Sequence, residues 1–304
     1  MSSYIPIAYD KKYKLDLPDN HRFPMEKYEL LPKKLISKGV SSNKDFFRPG
    51  LPDINQLLEV HEKSYVLKLK NLKLSKSEIR RIGFPLSDRL IEREMIITNG
   101  TIKGAIKAIE QKISFNIAGG THHSFSDRGE GFCLLNDQAV SAQNLIKNHN
   151  INKILIIDLD VHQGNGTASI FEYNDKVYTF SMHGAKNYPF KKQKSDLDIP
   201  LDDDTDDDLY LNILNKTLPV LINKVKPNFI FYLSGVDIMK SDKLGRLSLS
   251  IDGCKERDKI VFLNCKKNNI PVQCSMGGGY SENINQIVDA HFNTFKMAKE
   301  IFIN

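Results

Sequence analysis

The chain has 304 residues, of which 40% are hydrophobic and 26% charged, an ordinary composition for a globular protein. No apolar run approaches the ~20 residues needed to cross a bilayer, and the N-terminus lacks the charged-then-apolar layout of a signal peptide. We therefore expect a cytoplasmic protein without membrane contact. The net charge is +6, but acidic and basic residues are interspersed, which argues against direct nucleic-acid binding. The oligomeric state is left open.

The first 111 residues predict mainly helices. A short strand is predicted at 4–9, followed by helices at 25–37, 54–61, 64–72, 75–82 and 88–111. Pro32 interrupts or kinks the first helix, and Gly100 and Gly104 weaken the last. No repeat or linker divides the chain, so we expect residues 1–304 to form a single domain.

From residue 113 onward, short apolar runs alternate with helical patterns. The predicted strands are 113–118, 154–159, 177–180, 229–233 and 271–274. The helices between and after them are predicted at 136–148, 166–173, 205–225, 254–267 and 282–303. This alternation predicts an α/β fold with a mostly parallel sheet and helices on both faces. Ligands of such sheets bind beyond the carboxyl ends of the strands.

Polar residues follow all five predicted strands. The first is followed by GGTHH (119–123) and the fifth by GGGY (277–280). The second ends in Asp158, Asp160 and His162, which an extended chain would place on one side. Ser181-Met182-His183 and Asp237 follow the remaining two strands. We expect these five segments to meet at one edge of the sheet.

Three of these residues have the donor atoms of a catalytic metal site. Asp160, His162 and Asp237 would supply three ligands and leave positions open for water and substrate. Carboxylate oxygen and imidazole nitrogen suit zinc or iron. A metal held there would polarise a carbonyl group and lower the pKa of bound water toward ~7.

Other residues of the same segments could carry out acid–base chemistry. His122 and His123 could transfer protons, Asp158 could orient one imidazole, and Tyr280 could donate to a developing oxyanion. Together they predict hydrolysis of an amide or ester. Structural alternatives exist: Asp237 could cap a helix, and the three glycines could form only a turn. The remaining histidines are interpreted as surface or packing residues: His21, His61, His149, His183 and His291.

Several ordered motifs resemble the histone deacetylase superfamily: GGTHHSFSDRGEGFCLLND (119–137), IDLDVHQGNGT (157–167), SGVDIMKSDKLGRLSLS (234–250) and GGGY (277–280). The similarity extends to HRFPMEKY (21–28) and LLEVHEKSYV (57–66). The QGNG turn and the SDRGEGFC segment are most similar to the class IV branch and its bacterial relatives. The resemblance implies an arginase/deacetylase fold with a central, mostly parallel sheet of about eight strands, more than the pattern alone predicts.

The resemblance also implies residue roles. Zn²⁺, or alternatively Fe²⁺, would be bound by Asp160, His162 and Asp237. His123 would be the general base and acid, with His122, held by Asp158, as its electrostatic partner. Tyr280 would polarise the substrate carbonyl.

Further implied sites concern the substrate and a second ion. Gly131, Phe132 and Tyr188 would line a narrow channel for the acylated lysine side chain, with Leu244 near its inner end. Arg22 would line an inner, acetate-sized cavity. A structural K⁺ ion would lie near Asp158, Asp160, His162, Ser181 and Met182.

One residue departs from the class I pattern. Asn165 stands where those enzymes carry an aspartate paired with the second histidine. Asparagine can accept a hydrogen bond from His123 but supplies no charge, so we expect a lower His123 pKa than aspartate would give.

The sequence thus predicts a zinc-dependent amidohydrolase that removes an acetyl or longer acyl group from lysine side chains of proteins or peptides. One alternative is hydrolysis of a small acylated amine such as an acetylpolyamine, whose positive charge would favour an acidic rim. Another is a catalytically silent scaffold that binds acyl-lysine.

Overall fold

The structure is a computed structural model that describes residues 4–303. Eight strands form one sheet in the order β2-β1-β3-β8-β7-β4-β5-β6, and every neighbouring pair is parallel. The strands are β1 Ile7–Ala8, β2 Phe46–Phe47, β3 Ile113–Asn116, β4 Ile154–Asp158, β5 Val177–Gly184, β6 Leu197–Leu201, β7 Phe229–Leu233 and β8 Val272–Ser275.

Ten α-helices surround this sheet in the described residues, together with 3₁₀ turns at Lys11–Tyr13 and Asn43–Asp45. The helices are α1 Lys27–Ser37, α2 Ile54–Leu58, α3 Lys63–Lys70, α4 Lys76–Ile82, α5 Asp88–Gln111, α6 Asp137–Asn148, α7 Asn165–Phe171, α8 Asp207–Val225, α9 Ile251–Lys267 and α10 Ile284–Phe302. Within residues 4–303, no helix has the length and apolar character needed to cross a membrane.

Strand β4 is buried on both faces. Ile154 and Ile156 pack into a cluster formed mainly with α5, α6 and α7, whereas Leu155 and Ile157 pack into the larger cluster that includes α8, α9 and α10. Successive side chains of a strand point to opposite faces. The continuous apolar run is therefore explained by helices covering both sides of the sheet.

Helix α5 has the predicted bounds, and its two glycines have a packing role. Ser87 caps its start by accepting from the Leu90 amide at 3.2 Å. A Cβ atom at Gly100 would collide with the Tyr13 hydroxyl, and one at Gly104 would lie 3.3 Å from Ser114 Oγ. Glycine therefore lets this helix lie close to β3 and the N-terminal segment, which offsets its low helix propensity.

All five strands predicted from residue 113 onward are present, but two edge strands escaped prediction. β2 has only two residues, and β6 contains Asp198 and Pro200, which hide the strand pattern. An edge position tolerates proline because one side of the strand forms no ladder. The strand predicted at 4–9 is limited to β1, and α1 continues through Pro32.

Candidate active site

The sheet order explains why the polar segments meet. Strands β3, β8, β7, β4 and β5 are consecutive neighbours, and the polar segments follow these five strands at their carboxyl ends. Because all five are parallel, their carboxyl ends lie on the same edge of the sheet. The predicted convergence is thus found in the structure.

Asp160, His162 and Asp237 form a buried cluster at this edge. One ligand atom from each residue lies within 4.8 Å of the others. His162 Nδ1 is 3.0 Å from Asp160 Oδ1 and 3.1 Å from Asp237 Oδ2. All three predicted metal ligands therefore come together, although Asp237 is distant from the other two in sequence.

Backbone amides hold both carboxylates in place. Val161 donates to Asp237 Oδ1 at 3.0 Å, and Gly278 donates to Asp160 Oδ2 at 2.8 Å. A Cβ atom at Gly278 would collide with Asp237, so the GGGY segment must carry glycine to approach this closely. Strand β4 ends at Asp158, and the chain bends at residues 160–162. The condition under which Asp158, Asp160 and His162 would lie on one side, a chain that stays extended, is therefore not met.

The donor set fits a divalent cation. Two carboxylates buried beside each other repel, and burial together with Asp160 raises the pKa of Asp237 to about 7. Although burial opposes its charge, hydrogen bonds to Asp160 and Asp237 raise the pKa of His162 to about 10. A cation among these three side chains would relieve the repulsion, and oxygen and nitrogen donors suit zinc or ferrous iron.

The paired histidines each have a different partner. His122 Nδ1 lies 2.7 Å from Asp158 Oδ2, and His123 Nδ1 lies 2.6 Å from Asn165 Oδ1. The two imidazole rings are 4.1 Å apart between centroids. Asp158 and Asn165 therefore fix the orientations of the two rings. Both contacts use Nδ1, so neither one occupies Nε2.

The different partners give the two imidazoles opposite pKa shifts. Burial disfavours a charged His122, but the Asp158 carboxylate outweighs this effect and raises the pKa of His122. Burial, reinforced by His122 and His162, lowers the pKa of His123 well below its ordinary value. The surroundings therefore favour the neutral form of His123 and the protonated form of His122.

Tyr280 lies across the cavity from the histidines. Its ring centroid is 6.4 Å from that of His162, 5.9 Å from that of Phe23 and 6.0 Å from that of Phe132. Burial, followed by the charges of Asp160 and Asp237, raises the pKa of Tyr280 well above its ordinary value. The phenol therefore stays protonated and able to donate.

A cavity of about 700 Å³ leads from the surface to these groups, and we call it the mouth cavity. Gly131, Phe132, Tyr188 and Leu244 all line it. Gly131 has a φ of +50°, and a Cβ atom there would lie 2.8 Å from His123 Cδ2. Leu244 lines the same cavity as His123 and Tyr280, and Asp242 holds its loop by accepting from the amides of Leu244 and Gly245.

A second, inner cavity of about 40 Å³ lies beyond Tyr280 and His123. The expectation that Arg22 lines it is wrong: Arg22 is exposed and lines the mouth cavity. Arg93, buried on α5, lines the inner cavity instead. Lys27 is also buried nearby, 5.5 Å from the Tyr280 ring, and burial lowers its pKa to about 8. The sequence pattern alone did not show which of Arg22, Arg93 and Lys27 lies at the inner cavity.

Three of the residues implied for K⁺, Asp158, Ser181 and Met182, lie on adjacent strands, and Asp160 and His162 follow β4. Asp158 of β4 is paired in register with Ser181 of β5. Met182 follows in β5 with its side chain fully buried in the core, and the Ser181 hydroxyl lies 3.0 Å from His183 Nδ1.

Two supporting carboxylates were not predicted. Asp137 accepts from the amides of Gly120 and Thr121 at 3.1 and 2.8 Å, which fixes the turn before the paired histidines. Asp242 accepts from the Tyr280 amide at 2.6 Å. Both lie inside the quoted motifs. Asp137 is 17 and 16 residues from Gly120 and Thr121, and Asp242 is 38 residues from Tyr280, so the fold is needed to bring each carboxylate to its partners.

Fold and site define a parallel α/β protein with a buried carboxylate–imidazole cluster and paired histidines at the carboxyl edge of its sheet. The family model for the histone deacetylase domain matches residues 21–295. The chain therefore belongs to the histone deacetylase family, whose general activity is deacetylation, a hydrolysis.

Similar proteins include one that is named a histone deacetylase. An uncharacterized protein of Picosynechococcus sp. is 41% identical over 98% of this chain and 99% of its own. Histone deacetylase 2 of Arabidopsis thaliana is 29% identical over 94% of this chain and 77% of its own. The crystal structure of the HDA15 HD domain matches with a TM-score of 0.82 at 19% identity, covering 98% of this chain and 88% of that one. This likeness shows the arginase/deacetylase fold.

Proposed function

We propose that residues 1–304 act as one catalytic domain that removes acetyl groups from lysine side chains of proteins or peptides. The observation that carries this proposal is the convergence of the Asp160–His162–Asp237 cluster, the two histidines and Tyr280 on one cavity. The same proposal includes a cytoplasmic location and membership of the class IV branch of the family.

Asp160, His162 and Asp237 would hold Zn²⁺, with Fe²⁺ as the alternative. When bound, the metal would supply Lewis acidity toward the acyl carbonyl and would acidify a water molecule. The proposal also includes a structural K⁺ near Asp158, Asp160, His162, Ser181 and Met182, where the paired ends of β4 and β5 lie together.

The protein's own groups then move the protons. His123 donates its Nδ1 hydrogen to Asn165 Oδ1, so its Nε2 lone pair can accept a proton from the attacking water and later return it to the lysine amine. His122, held by Asp158, favours the neutral form of His123 and so keeps it ready to accept that proton. Tyr280 donates a hydrogen bond to the developing oxyanion. Stabilisation of such developing charge is usually the largest single contribution to the rate enhancement.

The inner cavity favours a short acyl group. Its volume of about 40 Å³ is small beside the roughly 700 Å³ of the mouth cavity. Phe23, Tyr28 and Ile97 are among its walls. An acetyl methyl group fits this space, whereas a long chain would have to displace packed side chains, which is costly in a dense interior.

The first alternative, hydrolysis of an acetylpolyamine, is disfavoured by the mouth cavity. Its lining residues include six cations and no Asp or Glu, and like charges reduce the local concentration of a cationic substrate. The second alternative, a silent acyl-lysine binder, predicts binding without turnover.

The test is hydrolysis of a fluorogenic acetyl-lysine peptide by the zinc-loaded protein. We expect His123→Ala to lower kcat by about 10²–10⁴-fold and Tyr280→Phe by about 10²–10³-fold. Matched controls are His149→Ala and Tyr173→Phe, which make the same changes outside the cavities described above. Tight peptide binding with no turnover by the unmodified protein would favour the scaffold and overturn the proposal.

A further inference from the structure

The mouth cavity is surrounded by positive charge. Its lining contains six exposed cationic side chains and no carboxylate, and we call these six the cationic rim: Arg22, Arg80, Arg81, Lys186, Lys243 and Arg246. The same cavity contains His123, His162 and Tyr280. Whatever delivers an acyl-lysine to these catalytic groups must therefore pass the rim.

Part of this charge is already neutralised by neighbours outside the cavity. Asp203 lies 3.4 Å from both Lys186 and Arg246, and Glu282 lies 3.2 Å from Lys243. Glu130, the carboxylate behind Tyr188, is itself bonded to that hydroxyl at 2.9 Å and to Arg128. Asp203, Glu282 and Glu130 are thus each already engaged by a cation or a hydroxyl donor.

Arg22, Arg80 and Arg81 form no ion pair with any described carboxylate. Arg22 instead lies over the Phe132 ring, with its Cζ atom 6.0 Å from the centroid. Arg80 and Arg81 lie in the last turn of helix α4, where the helix dipole favours basic residues. That preference explains why they are basic but not why α4 places them at the mouth.

The position of α4 is fixed by the channel itself. The carbonyl groups of Arg81 and Ile82 accept from the amides of Gly131 and Phe132 at 3.0 and 2.7 Å. Gly83, just after the helix, has a φ of +85°, and a Cβ atom there would lie 2.9 Å from Phe132 Cε1. The arginines at the end of α4 are thus coupled to the residues that line the channel.

We propose that the cationic rim selects acyl-lysine substrates whose flanking residues are acidic. This inference rests on the proposed function. A peptide that inserts its acylated lysine must lay the preceding and following residues on the rim, where three arginines have no carboxylate partner. Arginine guanidinium groups match carboxylates in bidentate geometry, and complementary charge raises the rate of productive encounter.

The test compares three acetyl-lysine peptides that differ only in their flanks, which are acidic, neutral or basic. At low salt we expect kcat/KM to be about 10- to 100-fold higher for the acidic than for the basic peptide. The difference should shrink steeply at high salt, because the exposed charges are screened. Turnover of all three peptides at equal rates would overturn the inference but leave the proposed function standing. Absence of turnover on every peptide would remove both.

The matched variants locate the effect. Replacing the three unpaired rim arginines together (Arg22→Gln, Arg80→Gln, Arg81→Gln) should reduce the acidic-over-basic ratio to within about threefold. The control removes the same net charge from exposed lysines that line neither cavity: Lys44→Gln, Lys216→Gln and Lys267→Gln. The control should keep the full ratio. An equal loss in both triple variants would assign the effect to overall charge and refute the proposal.

A polyanion of another kind is the remaining alternative for the rim. An unacetylated acidic peptide should inhibit turnover of the neutral acetyl-lysine peptide more strongly than a single-stranded oligonucleotide of equal charge. Inhibition by the oligonucleotide alone would assign the rim to nucleic acid and overturn the inference.

Discussion

Replacing Asn165 with aspartate should shift the pH dependence of the reaction upward. The change keeps the shape of the side chain and adds one negative charge beside His123, whose Nδ1 atom is 2.6 Å from Asn165 Oδ1. Asn165 is 2% exposed, so solvent screens the new charge little. The carboxylate favours the imidazolium form and therefore raises the pKa of His123.

The size of the shift follows from Coulomb's law. Taking about 4 Å between the charge centres and an effective dielectric of about 20, the interaction is about 4 kcal/mol. At about 1.36 kcal/mol per pKa unit, this sets a ceiling of ~3 units. Burial of the new carboxylate near Asp158 and Asp160 opposes the effect, so we expect a rise of about 1–3 units.

The assay is the pH profile of kcat/KM for the metal-loaded protein with a neutral acetyl-lysine peptide. Its acid limb reports the deprotonated base of the free enzyme, so it should move to higher pH in Asn165→Asp. Asn215→Asp, an exposed position on α8, adds the same charge far from the site and should leave that limb in place. An unchanged profile in Asn165→Asp would refute the role assigned to His123.

Three further expectations concern the metal, the acyl group and the core. Asp237→Asn should weaken Zn²⁺ binding by more than about 100-fold in a chelator competition, since even outer hydrogen-bond partners of ligands matter by 10–100-fold. Exposed Asp252→Asn is its control, and equal affinity in both variants would exclude Asp237 as a ligand. Acetyl-lysine should exceed octanoyl-lysine in kcat/KM by at least about tenfold; a preference for octanoyl would show that the inner cavity does not hold the acyl group. Leu155→Ala, in the centre of the sheet, should lower the free energy of unfolding by about 2–5 kcal/mol in urea titrations. Half-exposed Leu209→Ala should change it far less, and similar losses would contradict the assigned core.

The sequence alone determined the parts whose signal is local. A run buried on both faces produces continuous apolar residues, which is why the strands near 154 and 229 were predicted. Helix starts and ends follow from capping and periodicity, as in α5. The motifs at the strand ends also carried the resemblance from which the histone deacetylase family and an eight-stranded sheet were expected. The family model confirms the first, and the strand order confirms the second.

Only the tertiary structure decided which distant groups share a space. The strand order puts β8 between β3 and β7, which brings Gly278 against Asp160 and Asp237. It also decided that Arg93 rather than Arg22 reaches the inner cavity. The cationic rim likewise joins residues from separate loops and the end of α4. Periodicity indicates which side of a helix or strand is buried. The distances between elements depend instead on the order in which the chain places its strands in the sheet. The charge around the mouth cavity depends on that order too, because its residues come from separate segments.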